Sequence, residues 1–438
     1  MGFVKSIAAA VSLTMLTASS AFAATSIDMF FPVPVDGALA KEMQMLIKRF
    51  NSTHPDIDVT AAYTGSYDET DIKTRAAIKA GKPPAVAIMS ANFLTQYHID
   101  DLIEPIDPFV KADGQSPDAF MNQFWQALHG NARLNGTIYG VPFHNSTPLL
   151  YYNTDAFKEV GLDPNKPPVT WQDLVDDAKK LTKHEDGKVT RWGFVIPGTY
   201  DILGWTISAL DMSNGGQYYN PDYGGEVYYD TPSMLGTLTF VDDLVHKFKV
   251  MPEGVTETPA MNNAFFGGHA AMIVSSTGSL SFIRHNMKAH YKVAFIPRNL
   301  RNAVAIGGAS LIIPKGNSPE REKAAWTLIK WLTSPKISGE WSRFTGYFAP
   351  NKAAYDLPEM KAFLEQHPDA KVALDQLAYA KPWFATYNTV AVRKALEDQV
   401  QAMLSGKVTP EQAIKTAQAN ADKLMKPYVD ATALKLPQ

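Results

Sequence analysis

The chain has no cysteine among its 438 residues. That excludes disulfide scaffolds, thiolate metal sites, cysteine nucleophiles and lipid attachment at an N-terminal cysteine. It also lacks H-E-x-x-H, G-x-x-x-x-G-K-[ST] and G-x-S-x-G, the short motifs of zinc hydrolysis, phosphate loops and serine esterases. The ten histidines are scattered. Neither His144 nor His269 has a second His at metal-ligand spacing. A net charge of −3 offers no basic excess for nucleic acid. Carboxylate neighbours such as Asp100-Asp101 and Asp242-Asp243 read as solvated faces. No apolar run reaches the roughly 20 residues that span a bilayer. No catalytic residue, metal, cofactor or membrane insertion is therefore expected. The enzyme alternative is a secreted carbohydrate-active enzyme, whose two carboxylates would meet only in the fold.

The length exceeds what one core usually fills, so two domains are expected. Apolar content of 45% and aromatic content of 11% supply sizeable cores. At the N-terminus, Lys5, the short apolar run Ile7 to Leu16 and the A-x-A site Ala21-Phe22-Ala23 form a secretory signal peptide, residues 1–23. Cleavage would start the mature chain near Ala24 and remove Lys5, leaving a slightly more acidic periplasmic protein.

Strands alternate with amphipathic helices along the rest. Ser26 to Phe31 reads as a strand, and Leu39, Met43, Leu46, Ile47 and Phe50 recur at helical spacing. Ile57 to Tyr63 reads as a second strand, Asp68 to Ala80 as a helix closed by Gly81, and Pro84 to Met89 as a third strand. Asn153 or Thr154 opens a helix, and Thr170 caps the next. Tyr291 to Ile296 and Ala309 to Ile313 read as buried strands, followed by a helix with Ser318 as cap and Pro319 at its first position. Thr409-Pro410-Glu411-Gln412 is a capping box. The pattern predicts an α/β fold with mainly parallel sheets.

Two runs suit an anion. Met272 to Leu280 ends a buried strand in Ser275, Ser276, Thr277 and Ser279 around Gly278, and Ile306-Gly307-Gly308-Ala309-Ser310 brings bare backbone close to a ligand. Taken alone, the first run reads more readily as an ordinary Ser-rich helix cap, and paired glycines like those of the second are common in strand-connecting loops.

The run Pro142 to Asn153, continuing to Trp171-Gln172-Asp173-Leu174, resembles the signature of ABC-importer solute-binding proteins in the maltose-binding-like class. The chain is most similar to the periplasmic glycerol-3-phosphate-binding family. Further matches, in order, are Tyr63-Thr64-Gly65-Ser66-Tyr67, His144-Asn145-Ser146-Thr147-Pro148, Ser276-Thr277-Gly278-Ser279-Leu280, Ile306 to Ser310, Thr345-Gly346-Tyr347 and Arg393. The resemblance implies a two-lobed periplasmic-binding-protein fold, each lobe a mainly parallel sheet flanked by helices, with ligand in the cleft. It implies lobe 1 from residues 24–133 plus 291–333, and lobe 2 from 134–290 plus 334–438. It implies ligand contacts at Tyr67, Ser146, Ser276, Gly308, Tyr347 and Arg393, with Asn92, Ser279 and Trp205 as further candidates. Arg393 would grip a phosphate as a bidentate fork.

The His144-Asn145-Ser146-Thr147-Pro148 run departs from the family signature at its first two positions, and two further stretches depart as well. Ala91 stands where the family has a Glu on the glycerol hydroxyls, and Phe30-Phe31-Pro32-Val33-Pro34 replaces a Trp-His pair. Losing that carboxylate should cost roughly 1.5–3 kcal/mol per charged hydrogen bond, unless Asn92 or Asp36 substitutes. The expected protein is a monomeric, non-enzymatic solute-binding component. It would close on a small anionic solute, such as glycerol-3-phosphate, a glycerophosphodiester, a phosphonate or a sulfonate. Its partners would be ABC permease subunits with their cytoplasmic ATPase. A neutral sugar or oligosaccharide is the alternative ligand.

Overall fold

The computed structural model describes residues 24–33, 38–220 and 226–432. The expected signal peptide and Asp36 lie outside them. Strand β1 (Thr25–Phe31) turns Ile27, Met29 and Phe31 into a core. Helix α1 (Leu39–Thr53) covers them with the expected stripe at Leu39, Met43, Leu46, Ile47 and Phe50. Then come β2 (Ile57–Tyr63), α2 (Tyr67–Lys79) and β3 (Val86–Ser90). β1 pairs parallel with both β2 and β3. The start of α2 is fixed locally: the Ser66 hydroxyl accepts from Glu69 N–H while Glu69 reaches back to Ser66 N–H.

The chain next forms β4 (Val141–Ser146) and, one residue later, β5 (Pro148–Asn153). Helix α3 (Ile202–Ser213), β6 (Met272–Ser276) and β7 (Tyr291–Ala294) follow. β5 is the centre of an antiparallel β6–β5–β7 sheet, which corrects the expectation of a mainly parallel sheet in each lobe. Its pleat sends alternate residues to opposite faces. Leu150, Tyr152, Met272 and Val274 enter one apolar cluster, whereas Leu149, Tyr151 and Ile273 enter another. β8 (Val304–Ile312) then runs antiparallel to both β3 and β4, with a register shift at Ala309/Ser310. After α4 (Pro319–Leu332), β9 (Ala380–Pro382) pairs parallel with the start of β8. Helices α5 (Thr389–Leu404) and α6 (Pro410–Thr432) close the chain.

The first large core collects buried residues between Ile27 and Phe143 and between Ala309 and Tyr347. The second, apart from Leu128, takes them between Leu150 and Ile306 and from Phe348 to Met425. The expected lobe boundaries are corrected accordingly. Ile138, Val141 and Phe143 bury in the first core, and so do Ile337, Trp341 and Tyr347. Tyr291–Ala294, expected with lobe 1, pairs instead with β5 of lobe 2. The chain therefore crosses between the lobes near Ser146–Pro148, at Gly307–Gly308 and at Tyr347–Phe348. Asn153, Thr170, Ser318 and Thr409 all accept the capping hydrogen bonds expected of them. Among the described residues no helix is long and apolar enough to cross a membrane.

Candidate functional site

Each of the three crossings contributes to one cavity. Ser146, the Gly307–Gly308 pair and Tyr347 line it, together with Tyr67 from the start of α2 and Ser276 from the end of β6. The wall is completed by Ser90, Trp383 and the first turns of α3, which present Asp201, Ile202 and Trp205. Its volume is about 40 Å³. That is room for a few waters, each needing roughly 10–15 Å³ of such space, and too little for a sugar or a phosphate ester. A solute enters only if the lobes part or the aromatic walls move.

The backbone at the crossing requires glycine. Gly308 has φ +85°, and a Cβ there would sit 2.0 Å from the His144 carbonyl oxygen. A Cβ on Gly307 would meet the Trp205 indole at 2.8 Å. Trp205 is held flat against this strand by its Nε1–H, which donates to the Ala305 carbonyl at 3.0 Å.

Behind the two tyrosines lies His144. Its Nε2 is 2.9 Å from the Tyr67 hydroxyl, and its ring stacks on Tyr347 at 5.0 Å between centroids. Burial lowers its pKa to about 3, so it is neutral. The Ser276 hydroxyl accepts from Gly278 N–H at 3.0 Å, bracing the Ser-rich turn.

The electrostatics centre on Arg393, which is 1% exposed. Its Nη2 donates to both Asp68 oxygens at 3.1 and 2.9 Å, Nη1 to Asp201 Oδ1 at 2.8 Å, and Nε to Glu397 Oε2 at 3.1 Å. Asp68 stands on α2, packed with the first core, and Arg393 on α5 of the second, so the guanidinium ties the lobes together. Burial would lower its pKa, but Asp201, Glu397 and Asp68 together raise it, and it stays charged. Burial pushes Asp201 up to about 7; Arg393 opposes the rise, and Asp68 and Glu397 add to it. Glu397, also raised by burial against the pull of Arg393, accepts from the backbone N–H of Asp201 at 2.6 Å and of Gly204 at 3.0 Å. It thereby caps α3 from another helix.

Tyr67, Ser146, Ser276, Gly308, Tyr347 and Trp205 are thus brought together on one cavity. Arg393 is not on its wall, and the expected open fork is corrected to a guanidinium spent on three carboxylates. So deeply buried a cation demands such pairing. Asn92 and Ser279 are buried but also off the wall. Asn92 Oδ1 accepts from Ser90 Oγ at 2.7 Å, and it is Ser90 that faces the cavity. Asp201 and Trp383 were missed. Asp201 lies four residues before the candidate Trp205, whereas nothing local marks Trp383.

Comparison with known proteins agrees with this architecture. The sn-glycerol-3-phosphate-binding periplasmic protein UgpB of Escherichia coli K12 is 29% identical, over 97% of this chain and 98% of that one. The protein of the same name from Yersinia enterocolitica is 29% identical over 95% of both. Among solved structures, UgpB from Mycobacterium tuberculosis in complex with glycerophosphocholine matches with TM-score 0.81 at 23% identity, covering 93% of this chain and 100% of that one. Maltose-bound T. maritima MalE3 matches with TM-score 0.79 at 26% identity, covering 92% and 100%. These neighbours share the two-lobed α/β fold. The family model for bacterial extracellular solute-binding proteins matches residues 45–372, and the chain belongs to that family, the solute-capturing components of ABC transporters.

Proposed function

We propose that this protein is a periplasmic, non-enzymatic binding protein that captures a small phosphorylated solute between its lobes and delivers it to an ABC permease. Glycerol-3-phosphate, a glycerophosphodiester or a related phosphonate or sulfonate is the ligand class. The observation that carries the reading is the convergence of Tyr67, Ser146, Ser276, Gly308 and Tyr347 on one interlobe cavity. The same residue types stand at the matched motifs of a family whose curated relatives are named for glycerol-3-phosphate. Hydroxyls and bare strand backbone suit phosphoryl oxygens, and the aromatic rings suit a short carbon skeleton. Binding energy is realised only when both lobes touch the solute, so the ligand shifts an open–closed equilibrium.

One observation favours the neutral-sugar alternative: Arg393 is already engaged, and among the described residues no Lys, Arg or His lines the cavity. Thermal-shift measurements on residues 24–438 separate the two. At about a thousand times its dissociation constant a ligand adds roughly 4 kcal/mol. Stabilisation by glycerol-3-phosphate or glycerophosphocholine supports the proposal; stabilisation by maltose alone refutes it.

A further inference from the structure

Asp201 is the one carboxylate among the residues lining the cavity. Its backbone, at φ 72° and ψ −58°, lies in a strained region that non-glycine residues rarely occupy. Two contacts hold it there: Glu397 accepts its N–H at 2.6 Å, and Arg393 Nη1 donates to its Oδ1 at 2.8 Å. Its Oδ2 accepts no hydrogen bond among the described residues, and 21% of the side chain remains exposed. Counting Asp201 itself, three carboxylates (Asp68, Asp201 and Glu397) face two cations, Arg393 and the Lys394 ammonium 3.8 Å from Asp68, so this wall carries one excess negative charge. A dianionic phosphoryl group placed here would be repelled, whereas a hydroxyl or ammonium donor would be held.

We infer that Asp201 is a specificity-determining residue: its free oxygen accepts from a hydroxyl or ammonium group that the solute carries apart from its phosphoryl group. This rests on the proposed phosphorylated ligand and narrows it to phosphate esters bearing a distal donor.

The test is calorimetric titration with three phosphate monoesters: ethyl phosphate, which has no donor beyond its phosphoryl group, glycerol-3-phosphate, which carries hydroxyls, and phosphoethanolamine, which carries an ammonium. The parent should bind one donor-bearing ester at least tenfold more tightly than ethyl phosphate. Asp201→Gly suits the backbone at φ 72° and removes the side chain; it should erase that preference, read as the ratio of each donor-bearing ester's affinity to that of ethyl phosphate in the same variant. Asp201→Asn keeps a neutral acceptor, so it should spare a hydroxyl partner and lose an ammonium partner. Thermal melts of both variants check that they fold. Equal binding of all three esters by the parent, or equal weakening of all three by Asp201→Gly, overturns the inference alone. Binding of maltose with no phosphate ester bound overturns the proposed ligand and this inference together.

Discussion

Replacing Arg393 by Met keeps a long apolar stem but leaves Asp68, Asp201 and Glu397 facing one another without their cation. Breaking a buried pair by removing one partner costs roughly 3–5 kcal/mol. With about 2.1 cal/mol/K of unfolding entropy per residue, the roughly four hundred described residues give about 0.8 kcal/mol/K. The midpoint should therefore fall by about 3–6 °C. The loss should also depend on pH. Asp201, raised to about 7, and Glu397, raised by burial, bind protons more readily folded than unfolded. Each therefore favours the fold at low pH, and the advantage is lost as pH rises from the ordinary carboxylate range through the folded value. Without Arg393 both shifts grow, so the deficit against the parent should be small at pH 5 and large at pH 8. Calorimetric melts of both proteins at pH 5, 6.5 and 8 decide it. An equal deficit at all three, or none, would refute the assignment of Arg393 as the counter-ion of this wall. Loss of ligand binding in the variant would not by itself show contact with ligand, because Asp201 depends on Arg393 for its position.

Three further outcomes follow from the geometry. Gly308→Ala places a Cβ 2.0 Å from the His144 carbonyl in a left-handed backbone, adding about 1–2 kcal/mol of conformational cost before any clash; melts should drop by several degrees and titrations should show lost affinity, and an unchanged protein would contradict the crossing described here. His144, depressed to about 3, contributes stability present above its ordinary value near 6.5 and lost as pH falls towards 3. In His144→Phe, acid melts should fall less steeply with pH than in the parent, and parallel curves would sink the idea. Asp68→Ala removes both interlobe bonds from Arg393 Nη2; small-angle scattering of the ligand-free variant should give a larger radius of gyration, and an identical one would mean the pair does not hold the lobes closed.

What the sequence revealed divides by range. The caps at Asn153, Thr170, Ser318 and Thr409 depend on residues within one turn, and the stripe in α1 on residues within four turns, so local chemistry sufficed. Predicted strands such as Ile57 to Tyr63 coincide with observed ones because their burial alternates or is continuous. Tyr67, Ser146 and Tyr347 could be found only through the resemblance, whereas Ser276 and Gly308 also stand in runs whose local chemistry suits an anion. Arg393 was noticed but its surroundings were not: its partners Asp68 and Asp201 lie 325 and 192 residues away, and no local pattern predicts three carboxylates around one guanidinium. The lobe boundaries slipped for a related reason. A strand that serves two cores, as β8 does, carries the same apolar composition throughout, and only its Gly307-Gly308 pair marks the passage.

That shared strand has a consequence for how the chain is made. Ile88 of β3 finds its neighbour in Leu311 of β8, so the first sheet keeps an unpaired edge until the last third of the polypeptide has arrived. Such an edge is an invitation to pair with another molecule. A chain exported before it folds would avoid the exposure, since both strands would reach the far side before either is asked to pair. Nor can either lobe be obtained by truncation: each is assembled from separated stretches, and a shortened chain ending before residue 309 would hold a half-built sheet with an open flank.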